Sequence, residues 1–214
     1  MNSFVVRLSC MVGFLNFERG VVMGYTHNFK LKENSISQRR WDRFIKDVKK
    51  IRKHLPKHSE SSGGYFKDEP LYLNGCYHNR NAIFDSEKIL FNGGMIPASK
   101  RVKICKQKFP NSEIKFDIDE LANETFYLDI EGNGLGFCKT SRKPYDLMVQ
   151  CVIILAKHHF TREFSFSSDG DVDEWLSAYK LVSKYVDITH YVMESLCLVD
   201  DAERESLKIF IFEK

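Results

Sequence analysis

The sequence predicts one α+β domain: a mixed, mostly antiparallel sheet of about five or six strands, with three helices packed chiefly against one face. Two hydrophobic spacings lead there. Three stretches repeat apolar residues at helical period, and shorter runs around them alternate apolar with polar as a half-buried strand does. The third observation is the run Leu147-Met-Val-Gln-Cys-Val-Ile-Ile-Leu155. It is so apolar on every face that, as a helix, it must be wrapped by the rest of the fold.

Bulk properties set the frame. The chain has 214 residues, 43% hydrophobic and 29% charged, which suits one soluble globular domain over residues 23–214, with residues 1–22 as an N-terminal extension. A formal net charge of +3 is too small to choose a partner. Its distribution says more: residues 39–57 hold nine Lys or Arg against two Asp, and acids dominate from 163 to 205. Opposed basic and acidic sides follow, suited to protein contacts. The six cysteines, at 10, 76, 105, 138, 151 and 197, form no Cys-x-x-Cys pair, so free thiols in a reducing compartment are expected. Arg7, Glu18 and Arg19 interrupt the apolar start, which leaves no secretion signal and no membrane span.

The first element begins at Gly24-Tyr-Thr-His-Asn-Phe-Lys-Leu31, whose alternation puts Tyr25, His27 and Phe29 on one face of a strand. They form a candidate site wall, or equally a core strand whose histidine is satisfied by a neighbour. Ser35 or Ser37 can then cap a helix in which Trp41, Phe44, Ile45, Val48, Ile51 and Leu55 recur at helical spacing before Pro56. Its outer face carries Arg39, Arg43, Lys46, Lys49, Lys50 and Lys53. Such a stripe could track phosphates. A solvated face is the commoner cause, and no aromatic residues interleave for base stacking.

Residues 57–80 read as loop, and Ser62, Gly63 and Gly64 lack the lysine and spacing of a phosphate-cradling loop. Ile83-Phe84 and Lys88-Ile-Leu-Phe91 look like a strand reaching a tight turn at Asn92-Gly93-Gly94. The basic stretch 100–116 reads as an insertion. A second strand, 124–130, and a turn at 132–134 then form a hairpin that brings Glu124 level with Lys139. The polar turn that follows carries Cys138, Lys139, Thr140, Arg142, Lys143 and Tyr145. Pro144 suits the first helical turn, so these residues lie where backbone amides and the helix dipole favour an anion. Lys157, His158 and His159 close that helix, and adjacent histidines face different ways, which makes a poor shared metal site. Residues 163–167 alternate as a strand, and a third helix follows with Val172, Trp175, Leu176, Tyr179, Val182 and Val186 on one face. Asp171, Asp173 and Glu174 give it a capped start. Residues 207–212 read as a last edge strand.

The set Gly24-Tyr25-Thr26-His27, Asn92-Gly93, Glu124-Thr125-Phe126, Phe137-Cys138-Lys139-Thr140 with Arg142-Lys143-Pro144-Tyr145-Asp146, and Ser168-Asp169-Gly170 resembles a family of small proteins found largely in bacteriophages and their hosts, which often begin Met-Gly-Tyr-Thr-His-Tyr. The resemblance spans residue 23 to about residue 186. It implies a viral or mobile-element origin and carries no mechanism. Asn28 stands where that family has an aromatic residue, and the leader and the basic insertion look added.

Polar motif residues at strand ends and helix starts are where binding sites are built. One pocket is therefore expected, lined by Tyr25, His27, Asn92, Glu124, Lys139, Thr140, Arg142 and Tyr145, with Asp169 beside it. Its lysine, arginine and helix amides suit a phosphate or carboxylate, and its aromatics suit a base, so a small anionic or nucleotide-like ligand is the leading expectation. Several of these residues have plain structural alternatives: Asp169 as a cap, Glu124 as a partner of Lys139, Asn92-Gly93 as a turn. A hydrolase of phosphorylated substrates, with His27, Glu124 and Asp169 as catalytic candidates, is one competing reading. Cys138 as nucleophile is another. A virion or capsid-associated component, using the opposed charged faces, is a third. No cofactor is indicated, and the acids at 169, 171 and 173 match no full calcium loop.

Overall fold

The computed structural model describes residues 25–59, 69–75, 81–94, 121–132 and 134–188. The expectations for residues 1–22, 100–116 and 207–212 lie outside them.

Strand β1, Thr26–Leu31, is the middle of a three-stranded antiparallel sheet, flanked by β6, Gly134–Lys139, and β7, Phe164–Ser168. A second sheet is built on β4, Lys88–Gly93, which pairs with β2, Leu73–Asn74, β3, Ile83–Phe84, and β5, Phe126–Asp129. Every described pairing is antiparallel and the strands divide between two sheets, where the sequence predicted a single mixed sheet. Two further details differ from expectation. The stretch read as loop contains β2, and residues 83–91 form two strands. Asp85 makes the turn between them by accepting the Glu87 and Lys88 amides, both at 2.9 Å. Although burial opposes it, those donors hold the Asp85 carboxyl below its ordinary value.

The three helices are α1, Gln38–Lys53, α2, Asp146–His159, and α3, Val172–Tyr185. The α1 stripe is as read, with Trp41, Phe44, Ile45, Val48 and Ile51 buried, each burial contributing roughly 1.5–3 kcal/mol. Ser37 occupies the N-cap position without a side-chain bond. Ser35 donates to the Lys32 carbonyl instead. In α2 everything from Met148 to Lys157 is buried, as its all-round apolarity demands; α1 and α3 pack on either side. The buried face of α3 holds Trp175 and Val182 as expected, with Ala178 and Glu174 beside them; Tyr179 and Val186 pack partly buried against the core, and Leu176 is half-buried. Its start has the expected reciprocal cap between Asp171 and Glu174.

A run of phenylalanines ties the two sheets into one core. Phe29 of β1 meets Phe126 of β5 at 5.0 Å between ring centres, Phe126 meets Phe91 at 5.2 Å, and Phe91 meets Phe84 at 5.4 Å. Gly136 makes room for this run, because a Cβ there would lie 2.5 Å from the Phe29 ring. The opposite face of β6 leaves Leu135 and Phe137 largely exposed, at 72% and 59%.

One ion pair and one histidine–carboxylate hydrogen bond fasten α1 to the far end of α2. Arg40 forks onto Glu163 at 2.8 and 3.0 Å, and that bond holds the Glu163 carboxyl below its ordinary value. His159 Nε2 lies 2.9 Å from Asp47 Oδ2, yet burial outweighs this partner and lowers the His159 pKa. Both folded-state values are depressed, so both contributions are complete at neutral pH and lost as pH falls. His159 acts first, below the ordinary histidine value, and Glu163 below the ordinary carboxylate value. Thermal melts between about pH 7 and pH 5 are expected to show a decline in Tm that is shallower in His159→Gln.

Candidate functional site

The register of β1 fixes the centre of the site. It sets His27 opposite Cys138 on one side and Ser168 on the other, and alternation turns Tyr25, His27, Phe29 and Leu31 to the core. Helix α2 starts beside this point with Asp146. His27 is fully buried, with Nε2 2.7 Å from Asp146 Oδ1 and Nδ1 2.9 Å from Ser168 Oγ. With Asp146 a carboxylate that only accepts, Nε2 carries the proton and Nδ1 accepts from the serine hydroxyl. Ser168 Oγ in turn accepts the Gly170 amide at 3.0 Å.

The network continues through Gln150, one turn along α2, whose Nε2 donates to Asp146 Oδ2 and to Tyr25 Oη, both at 3.0 Å. Burial, reinforced by the charges of Asp146 and Glu174, pushes the Tyr25 hydroxyl far above its ordinary pKa, so it stays protonated. The rings of Tyr25 and Trp175 stand edge-on to His27 at 5.0 and 5.2 Å. Arg142 covers the Tyr25 ring at 4.2 Å and pairs with Glu174. To do so the chain passes through two successive left-handed residues, Ser141 and Arg142, with φ of 54° and 55°. Each costs about 1–2 kcal/mol, offset by the Thr140 and Ser141 amides, which both donate to the Tyr25 carbonyl, and by the Arg142–Glu174 pair.

The other expected residues gather at the adjoining ends of β4, β5 and β6. Asn92 donates to the Asn123 carbonyl and accepts the Gly93 amide. Glu124 is level with Lys139, as expected, but its carboxylate accepts the Lys139 backbone amide at 2.6 Å; the Lys139 side chain is exposed. Tyr145 is fully buried and donates to the Glu124 carbonyl at 2.8 Å. Thr140 is fully buried, with no partner for Oγ1 among the described residues. Asp169 accepts the Thr26 amide at 2.9 Å, which closes the end of the three-stranded sheet. Cys138 is buried, its thiol pushed up by burial. That removes the low pKa a nucleophilic cysteine needs, and its Sγ points to the Glu124 carbonyl.

The expected residues thus converge beside the start of α2, but Tyr25, His27, Thr140 and Tyr145 are packed inside. The open space lies next to them, in a groove of about 370 Å³ between α2, α3 and the end of α1. Lys143, Lys180, Lys184 and His54 supply its basic groups, and Asp146, Gln150 and Glu174 show it the outer edge of the buried network. Sequence reading missed Asp146, Gln150, Lys180 and Lys184 as site residues. The available signal was spacing: Asp146 and Gln150, and likewise Lys180 and Lys184, are four apart and share a helix face. Among the described residues no group of three or more His, Cys, Asp or Glu could hold a metal ion, and no helix is long and apolar enough to cross a membrane.

No protein family, curated protein or solved structure matches this chain. Replacement of His27 strips partners from Asp146 and Ser168 and opens a cavity between Tyr25 and Trp175. His27→Ala is therefore expected to lower the unfolding free energy by about 3 kcal/mol in urea titrations, while Lys139→Ala changes it by less than about 0.5 kcal/mol.

Proposed function

We propose that this protein binds a small anionic, phosphate-bearing ligand in the groove between α2, α3 and the end of α1. One observation carries the reading: three lysines from two separate parts of the chain, Lys143 before α2 and Lys180 and Lys184 on α3, surround one concave space. Lys180 and Lys184 stand on one face of α3, and Lys143 sits across from them, donating to the Ala122 carbonyl at 2.6 Å. His54, stacked on Tyr185 at 3.9 Å between ring centres, adds a flat surface at one end. Of the carboxylates in the wall, Glu174 is paired with Arg142, and Asp146 is bonded to His27 and Gln150. The ligand class is the one expected from sequence; its place is shifted from the strand ends to the helical groove, and Lys139 and Arg142 lie outside the lining.

A second reading, hydrolysis with His27 as general base, is favoured by the continuous chain Ser168, His27, Asp146. It ranks second because the two amides after Ser168 are already engaged, Asp169 by the Thr26 carbonyl and Gly170 by Ser168 Oγ, which leaves no ready oxyanion donors there.

Titration calorimetry with inorganic phosphate and with a nucleoside monophosphate is expected to give saturable binding. The double variant Lys180→Ala/Lys184→Ala should weaken it about tenfold or more, and Lys139→Ala should leave it unchanged. Absence of binding by either probe sinks the groove reading. For the second reading, intact-mass analysis after fluorophosphonate treatment decides: an unmodified Ser168 removes it.

A further inference from the structure

We propose that the anion held in the groove is one end of a single-stranded nucleic acid whose backbone runs on along α1; this rests on the groove being an anion site. The exposed face of α1 carries Arg39, Arg43, Lys46, Lys50 and Lys53. At 1.5 Å per residue they span about 21 Å of helix. Two acids lie on the same helix, Asp47 bonded to His159 and Asp42 accepting from Gln38, and they leave the five cations of the stripe in excess. The stripe leads into the groove: Lys50 Nζ reaches the Tyr185 carbonyl at 2.6 Å, and His54, the residue that ends α1, stacks on Tyr185 and lines the groove beside Lys184. Charges in line with a lysine-ringed recess match a polyanion with a distinct terminus.

Three features choose the chemical class. The apolar side chains of α1 that pack the core are all turned inward, so its outer face offers a protein partner none of the buried anchors that stabilise protein interfaces. A sugar-phosphate backbone needs only the cations. The recess of about 370 Å³ has the size of a small-ligand site, room for one nucleotide and too little for a duplex end. The His54–Tyr185 pair gives a terminal base a ring to lie against, the contact that single-strand sites use.

The test uses the full chain. Fluorescence anisotropy with 5′-phosphorylated thymidine oligonucleotides of roughly four, eight and sixteen nucleotides, over about 50–200 mM salt, is set beside calorimetry with thymidine monophosphate. The expected result is affinity that climbs with length beyond the mononucleotide, with a log–log salt slope near −3.5 for about five phosphates neutralised on a single strand. Arg43→Glu/Lys46→Glu should weaken the longer oligonucleotides about tenfold or more and flatten the slope, leaving the monophosphate affinity as it was. If the monophosphate binds but neither length nor the charge reversal matters, the proposal is overturned and the groove reading stands. If oligonucleotides bind while the monophosphate does not, and loss of Lys180 and Lys184 has no effect, both fall. Equal binding of polyglutamate points to an acidic protein, and equal binding of a duplex to a different nucleic acid; either overturns it. Matching circular dichroism and melting curves establish that the charge variants are folded.

Discussion

A histidine sealed from water can be kept only where both ring nitrogens are bonded, and most of this molecule's interior is arranged around that requirement. β1 brings the ring, β7 supplies Ser168 and α2 supplies Asp146. The carboxylate then needs a partner for its second oxygen, which Gln150 provides, and the same amide donates to Tyr25. Each bond imposes a position on the next element. The apolar first half of α2 therefore bears two polar residues on one face, Asp146 and Gln150, and it can dock on the sheet in one orientation, since rotation about its axis would strand both.

The same residues connect fold to surface. Asp146, Gln150 and Glu174 belong to the buried network and also form part of the groove wall. The groove is thus a feature of the rigid interior, with its lysines carried on helices and on the short turn before α2. The left-handed pair at Ser141 and Arg142 serves this arrangement by folding the chain back sharply enough for Arg142 to reach Glu174 while Lys143 faces the opposite way, toward Ala122 and the groove. Sites held on such supports lose little conformational entropy when a ligand arrives.

Much of the fold was legible because hydrophobic period reports burial directly. The stripe of α1, the all-round apolarity of α2 and the alternation of β1 and β5 each correspond to the structure; the expected hairpin does not form, since β5 pairs with β4 and β6 with β1, although Glu124 and Lys139 still meet. The short strand β2 was not legible, since two residues carry no period. On α3 the pattern overlooked Ala178, which is too small to weigh in it, and counted Leu176, which is only half-buried. For the site, residue type gave the right neighbourhood and the wrong exposure. Tyr25, His27 and Tyr145 have chemistry suited to a ligand, but polar side chains also serve to satisfy one another in a core, and composition does not separate the two uses. The groove itself needed the packing of α3 against α2, a contact between elements far apart in sequence.

One feature of the topology bears on how the molecule comes into being. β1 is the middle strand of its sheet, yet His27 meets partners at 138 and 168, so more than a hundred residues separate it from either neighbour. At about 5–20 residues per second a ribosome needs several seconds or more to deliver those partners. Until then an apolar ribbon bearing Phe29 and Leu31 has nothing to pair with. Closure of so long a loop comes late and slowly, which makes the nascent chain, rather than the finished one, the form most dependent on chaperones.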